Sequence, residues 1–151
     1  MDKQFPDAPV PDTTKLLELA DEEAGLDRKG IYVTNAVKHF SFTERGKQRI
    51  HKTPQARHIR ACRPWLISEV RSVKPEILVC LGGVAAKSVL GSGARVFRGR
   101  GVIVERDSLI GPGLFLVTVH PSSVLRTPGE QRARAHGDFV ADLQVIADAL
   151  G

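Results

Sequence analysis

Apolar positions along this chain recur with two different periods, and the alternation between them outlines the fold. Leu16, Leu17, Leu19, Ala20 and Ala24 fall at helical spacing, with Asp12 or Thr13 placed to cap the start and Gly25 to stop it. Ile31 to Thr34 reads as a short strand. Thr53-Pro54 opens a helix, because proline is tolerated in a first turn. Ile59, Cys62, Leu66, Ile67 and Val70 mark one face of that helix, and Pro64 within it predicts a kink or a split. Ile77 to Leu81 is a continuous apolar run of strand length; Gly82-Gly83 then turns the chain into a helix over Val84 to Leu90. Gly101 to Glu105 predicts a weaker strand and Leu114 to Val119 a strong, buried one. Phe139, Leu143, Ile146 and Leu150 share one face of a last helix, Glu130 to Leu150. Strands alternating with helices predict an α/β domain of three layers, a short, mostly parallel sheet flanked by helices. Residues 1–12 hold three prolines and no periodicity; they read as an extended lead-in, with the domain over 13–151.

Composition narrows this only a little. At 151 residues and 42% hydrophobic, the chain has enough apolar surface for one domain with a core. Lys and Arg exceed Asp and Glu by 22 to 17, a net charge of +5, which is compatible with a polyanionic partner. The distribution says more. Lys38, His39, Arg45, Lys47, Arg49, His51, Lys52, Arg57, His58, Arg60 and Arg63 are opposed over the same stretch by Glu44 alone. Such a concentration serves either a phosphate backbone or an ordinary solvated face. Two cysteines make no disulfide framework, and Cys80, inside an apolar run, reads as a small buried hydrophobe. No apolar run is long enough to span a membrane and no signal peptide is evident, so the expected location is the cytoplasm.

Two short stretches carry candidate chemistry. In the first, His51 sits among Arg45, Lys47, Arg49 and Lys52, within a basic loop expected from about Lys38 to Thr53. Those cations can hold a phosphate backbone while the imidazole faces a sugar or base; alternatively His51 simply contacts phosphate. In the second, His120-Pro121-Ser122-Ser123 follows the strong strand, at the carboxyl end where α/β sheets bind ligands. A lone histidine there is also a common structural residue. Asn35, after the first strand, offers a donor and an acceptor that match a pyrimidine edge, or that serve a local turn. Gly82-Gly83 reads as a tight turn and not as a phosphate cradle.

Three blocks in register resemble the uracil-DNA glycosylase superfamily, its iron–sulfur (family 4-like) branch, and within that the UdgX type. They are Tyr32-Val33-Thr34-Asn35-Ala36-Val37-Lys38-His39-Phe40, Arg49-Ile50-His51-Lys52 and His120-Pro121-Ser122-Ser123-Val124-Leu125-Arg126. The resemblance runs from about Leu16 to the C-terminus. It implies a protein that flips and excises uracil from DNA, single-stranded DNA being the expected form. Asn35 would read the flipped uracil and His120 would contact its carbonyl. Ser122 and Ser123, with their backbone N–H groups, would hold phosphate, as would Arg49 and Lys52; Leu125 would wedge into the base stack. His51 would attack the sugar in place of water and remain attached to it. The resemblance also implies a 4Fe–4S cluster, with His39 and Cys62 matching its two later ligands. Clusters usually need four protein ligands, mainly thiolates. No cysteine precedes Cys62, so this chain alone is not expected to bind one. Nor does it match the family's first, central strand, its Gly-Glu-Gln-Pro-Gly loop or its Pro-Phe segment. The expectation is therefore an N-terminally truncated domain, weak or inactive by itself, with a non-catalytic DNA-binding module as the alternative.

Overall fold

A computed structural model of the chain describes residues 10–36, 41–45, 48–52, 56–94, 96 and 99–151. Its elements are α1 (Val10–Ala24), β1 (Ser41–Arg45), β2 (Gln48–Lys52), α2 (Ala56–Val73), β3 (Leu78–Leu81), α3 (Gly83–Leu90), β4 (Val104–Arg106), β5 (Gly113–Thr118), α4 (Pro121–Arg126) and α5 (Gln131–Leu150).

The central sheet has three strands in the order β3-β5-β4. It is mixed: β3 and β5 run parallel, with Val79 opposite Leu116 and Leu81 opposite Thr118, while β4 lies antiparallel on the other side of β5. Side chains alternate across the pleat, and here both faces are covered. Val79, Leu81 and Leu116 pack with Ala20, Ala24, Val124, Phe139, Leu143 and Ile146 from α1, α4 and α5. Leu78, Cys80, Phe115 and Val117 pack on the opposite side with Leu66, Ala86 and Val89 from α2 and α3. That double burial explains why both strands read as unbroken apolar runs. The three-layer α/β architecture expected from the alternating periods is thus the observed one.

Four details differ from expectation. Helix α1 starts at Val10, before the Asp12 or Thr13 cap, so the last three residues of the expected lead-in are helical; residues 1–9 lie outside the described ones. Ile31 to Thr34 is not a strand. A strand needs a ladder partner, and the described sheet places none beside it. The segment is tied instead to α2, where the hydroxyls of Tyr32 and Thr34 both donate to Glu69 Oε2, at 2.8 and 2.7 Å. The expected basic loop holds an antiparallel hairpin, β1 with β2, in which Glu44 faces Arg49 and Phe42 faces His51 in register. Its charge density conceals the strand pattern in the sequence. Finally, α2 passes through Pro64 unbroken. The proline is exposed, and losing one i to i−4 hydrogen bond on the solvent side is a cost that the packing of Ile59, Cys62 and Leu66 overrides.

Candidate functional site

The parallel register brings the carboxyl ends of β3 and β5 side by side, and the two turns that follow are locked together. Gly82 N–H donates to the Thr118 carbonyl at 2.8 Å. Gly82 adopts φ 91°, ψ 173°, a backbone region essentially reserved for glycine. A Cβ at this position would lie 3.0 Å from the Cβ of His120. The missing side chain at Gly82 is thus what allows His120 to sit over the start of α3.

His120 itself is the N-cap of α4, extended at φ −76°, ψ 143°, with Pro121 in the first turn. Its imidazole serves as the capping acceptor. Ser122 N–H donates to Nδ1 at 3.1 Å, and Ser122 Oγ lies 2.9 Å from the same nitrogen. Because a backbone N–H can only donate, Nδ1 must carry a lone pair. The ring proton of the neutral imidazole is therefore on Nε2, which becomes a donor. Partial burial of the ring, followed by the charge of Arg126, lowers the His120 pKa below its ordinary 6.5; the residue still keeps an exposed edge. Arg126 Nη1 donates in turn to Ser122 Oγ at 3.2 Å.

The other expected residues fall as follows. Ser123 N–H donates to the His120 carbonyl at 2.9 Å. Both serine amides are therefore spent within the cap, contrary to the expectation that they face a phosphate. A six-residue helix here uses them to satisfy its own first turn. Leu125 is half-buried on α4. Asn35 is half-buried next to Ala36, which packs on the core between the sheet, α2 and α3. Arg49, His51 and Lys52 lie on β2, with His51 opposite Phe42 and Lys52 opposite Ser41. His39 lies outside the described residues. Cys62 is buried on α2 with Ile59, against Val84.

The donor set does not fit a 4Fe–4S cluster on this chain. The chain has two cysteines, and they sit in different parts of the core. Burial pushes the Cys80 thiol up to about 12, as desolvation does to a thiol inside an apolar core. Among the described residues no three of His, Cys, Asp and Glu converge as a metal site.

Three features of this region were not anticipated: the close approach at Gly82, the contact of Arg126 with Ser122, and a partly buried polar knot behind the site. In the knot, Asp142 Oδ2 of α5 accepts from Thr118 Oγ1 at 2.6 Å and from Arg100 Nε at 2.9 Å. Arg100 Nη2 lies 2.8 Å from the same oxygen but is not aimed along a hydrogen bond, so this buried atom is left without one. The knot anchors the carboxyl end of β5, two residues before His120. Only the i, i+4 spacing of Ser122 and Arg126 gave a signal in the sequence, and it becomes readable once α4 is known to be a helix.

Residues 9–144 match the family model described as "Uracil DNA glycosylase superfamily". The chain is also similar to the type-4 uracil-DNA glycosylase of Pyrobaculum aerophilum, 28% identical over 145 residues that cover 87% of this chain and 63% of the relative. A type-4 uracil-DNA glycosylase of Archaeoglobus fulgidus is 24% identical over 141 residues, covering 91% of this chain and 65% of the relative. The chain thus spans a little under two thirds of the length of these relatives.

Proposed function

This chain belongs to the uracil DNA glycosylase superfamily, and we propose that it is a DNA repair protein of the UdgX type, which flips and excises uracil and captures the sugar on His51. The observation that carries the reading is His120, held at the carboxyl end of β5 with Nδ1 engaged and Nε2–H left as the donor. When the N-glycosidic bond breaks, its electron pair goes to the uracil ring and charge develops on the carbonyl oxygens. A preorganised donor there stabilises that charge. Asn35 reads the base edge with its amide. The sugar is left cationic at the anomeric carbon. A neutral nitrogen of His51 supplies the electron pair for the new carbon–nitrogen bond, in place of water. Arg49 and Lys52, on the same strand as His51, hold phosphate, as does the hydroxyl of Ser123; Leu125 fills the gap left by the flipped base. The relatives' printed names support the class of reaction. The proposed substrate is uracil in single-stranded DNA and the proposed compartment the cytoplasm; among the described residues no helix is long and apolar enough to cross a membrane.

Incubation with uracil-containing single-stranded DNA, followed by a denaturing gel, tests this reading. A weak band shifted by covalent attachment is expected. His51→Ser should abolish it while leaving abasic product, and His120→Ala or Asn35→Ala should slow excision by ~10²-fold or more, the loss typical of one removed donor. The chain covers less than two thirds of its relatives, so a second reading is kept: a non-catalytic DNA-binding module of the same fold. DNA binding with neither adduct nor abasic sites would favour it.

A further inference from the structure

The geometry points to Arg126 as a positioning residue that acts through the Ser122 hydroxyl to hold His120 as a neutral ring with its proton on Nε2. The inference rests on the reading of His120 as the donor to the departing base, but its primary test is independent of that reading.

The argument is one of donors and acceptors. Ser122 N–H reaches Nδ1 at 3.1 Å, so that nitrogen must accept. A guanidinium can only donate, and Arg126 Nη1 reaches Ser122 Oγ at 3.2 Å. With a lone pair of Oγ occupied from that side, its own hydrogen turns to the remaining neighbour, Nδ1 at 2.9 Å. Arg126 thereby sets the direction of the hydroxyl, and the hydroxyl adds a second donor to the nitrogen that must stay unprotonated. Protonating Nδ1 would face two donors with a third.

The spacing is built into one short helix. His120 caps α4, Ser122 lies in its first turn and Arg126 ends it, so Ser122 and Arg126 stand one turn apart on one face. Charge works in the same direction. Against His120, the β3–α3 turn presents Gly82 and β5 ends in Thr118, neither of them charged. Among the described residues Arg126 is the charged group that acts on the ring, and its proximity disfavours the imidazolium. The alternative role for Arg126 is plain surface solvation, which would leave the ring's protonation state indifferent to its removal.

The test uses the whole chain with ¹⁵N-labelled histidine. Long-range proton–nitrogen NMR spectra report the tautomer, the hydrogen bonding of Nδ1 and the titration of each ring, with His120 assigned by its loss in His120→Asn. Wild-type His120 should show protonated Nε2, a hydrogen-bonded Nδ1 and a midpoint below 6.5. Arg126→Met keeps the length of the side chain but removes charge and donors; the midpoint should rise and the Nδ1 signal should move towards that of a weaker hydrogen bond. Arg126→Lys should restore the midpoint. In Ser122→Ala, adding Arg126→Met should still raise the midpoint through lost charge but should no longer move the Nδ1 signal. An unchanged His120 spectrum in Arg126→Met, or the same Nδ1 change with and without the Ser122 hydroxyl, would overturn the inference. If the spectrum changes as expected but uracil excision by Arg126→Met equals wild type, the relay stands and the role assigned to His120 falls.

Discussion

At Gly82 the absence of a side chain decides the geometry of a site whose two parts, Gly82 and His120, are far apart along the chain. Its N–H holds the end of β5, and its bare Cα lets His120 approach. Gly82→Ala forces a Cβ into a backbone region that L-residues avoid and to within 3.0 Å of the His120 Cβ. A loss of ~1–3 kcal/mol in stability is expected from the backbone strain alone, measurable by urea denaturation. Because the same change displaces His120, excision should fall by more than the folded fraction does. Gly83→Ala is the control: its Cβ would meet nothing within 4 Å, so it should be close to neutral. His120 and its two serines stand out in the sequence because a polar cluster interrupts an apolar strand. Gly82 does not stand out as a partner of His120, since their proximity depends on which strands become neighbours.

Elements were legible in proportion to how much of their sequence the core dictates. β3, β5 and α5 are buried on the faces that their patterns mark. Ile31 to Thr34 has equally strong strand formers, but β propensity expresses itself only where a partner exists, and here two hydroxyls fix the segment to Glu69. The β1–β2 hairpin is hidden for the opposite reason: its residues are mostly polar, and the pairing of Glu44 with Arg49 is a cross-strand relation invisible in one dimension. α4 is six residues long and begins with proline, too short for periodicity to register. In α2 the proline is tolerated and not required. Pro64→Ala should therefore stabilise the protein, by an amount on the order of 1–3 kcal/mol, because the exposed site regains a backbone donor and better helix propensity. A rise in thermal midpoint would show it; a fall would mean that Pro64 shapes α2 for a purpose beyond folding.

For the molecule as a whole, charge is the property most plainly written in the sequence and least resolved by the fold. The net charge is +5, and Arg49 and Lys52 lie on β2 with His51. If these residues meet phosphates, affinity for single-stranded DNA should fall as salt rises, by about 0.7 of a decade in affinity per decade of salt for each phosphate neutralised. Titrations at several ionic strengths give that slope, and Arg49→Ala should reduce it by about one phosphate's share. A slope of zero would remove both the glycosylase reading and the binding-module reading. The layered architecture followed from alternating periods alone. The functional assignment needed the three sequence blocks, the family match and the cap geometry together, because a basic surface and a strand-end histidine are each compatible with many activities.

Burial of Cys80 on the sheet face under α2 and α3 makes it a built-in clock for the opening of the core. The residue is fully buried, and its thiol is pushed up to about 12, so near neutral pH it offers a reagent neither access nor thiolate. In a Cys62→Ser background the remaining thiol should react only during excursions that separate the sheet from that helical layer. Its labelling rate, compared with that of a free thiol, then converts directly into the free energy of opening. Repeating the measurement with uracil-containing DNA present would show whether occupancy of the strand-end site closes the molecule around its centre. Slower labelling is the expected result, since the β3 strand that carries Cys80 also leads into the Gly82 turn.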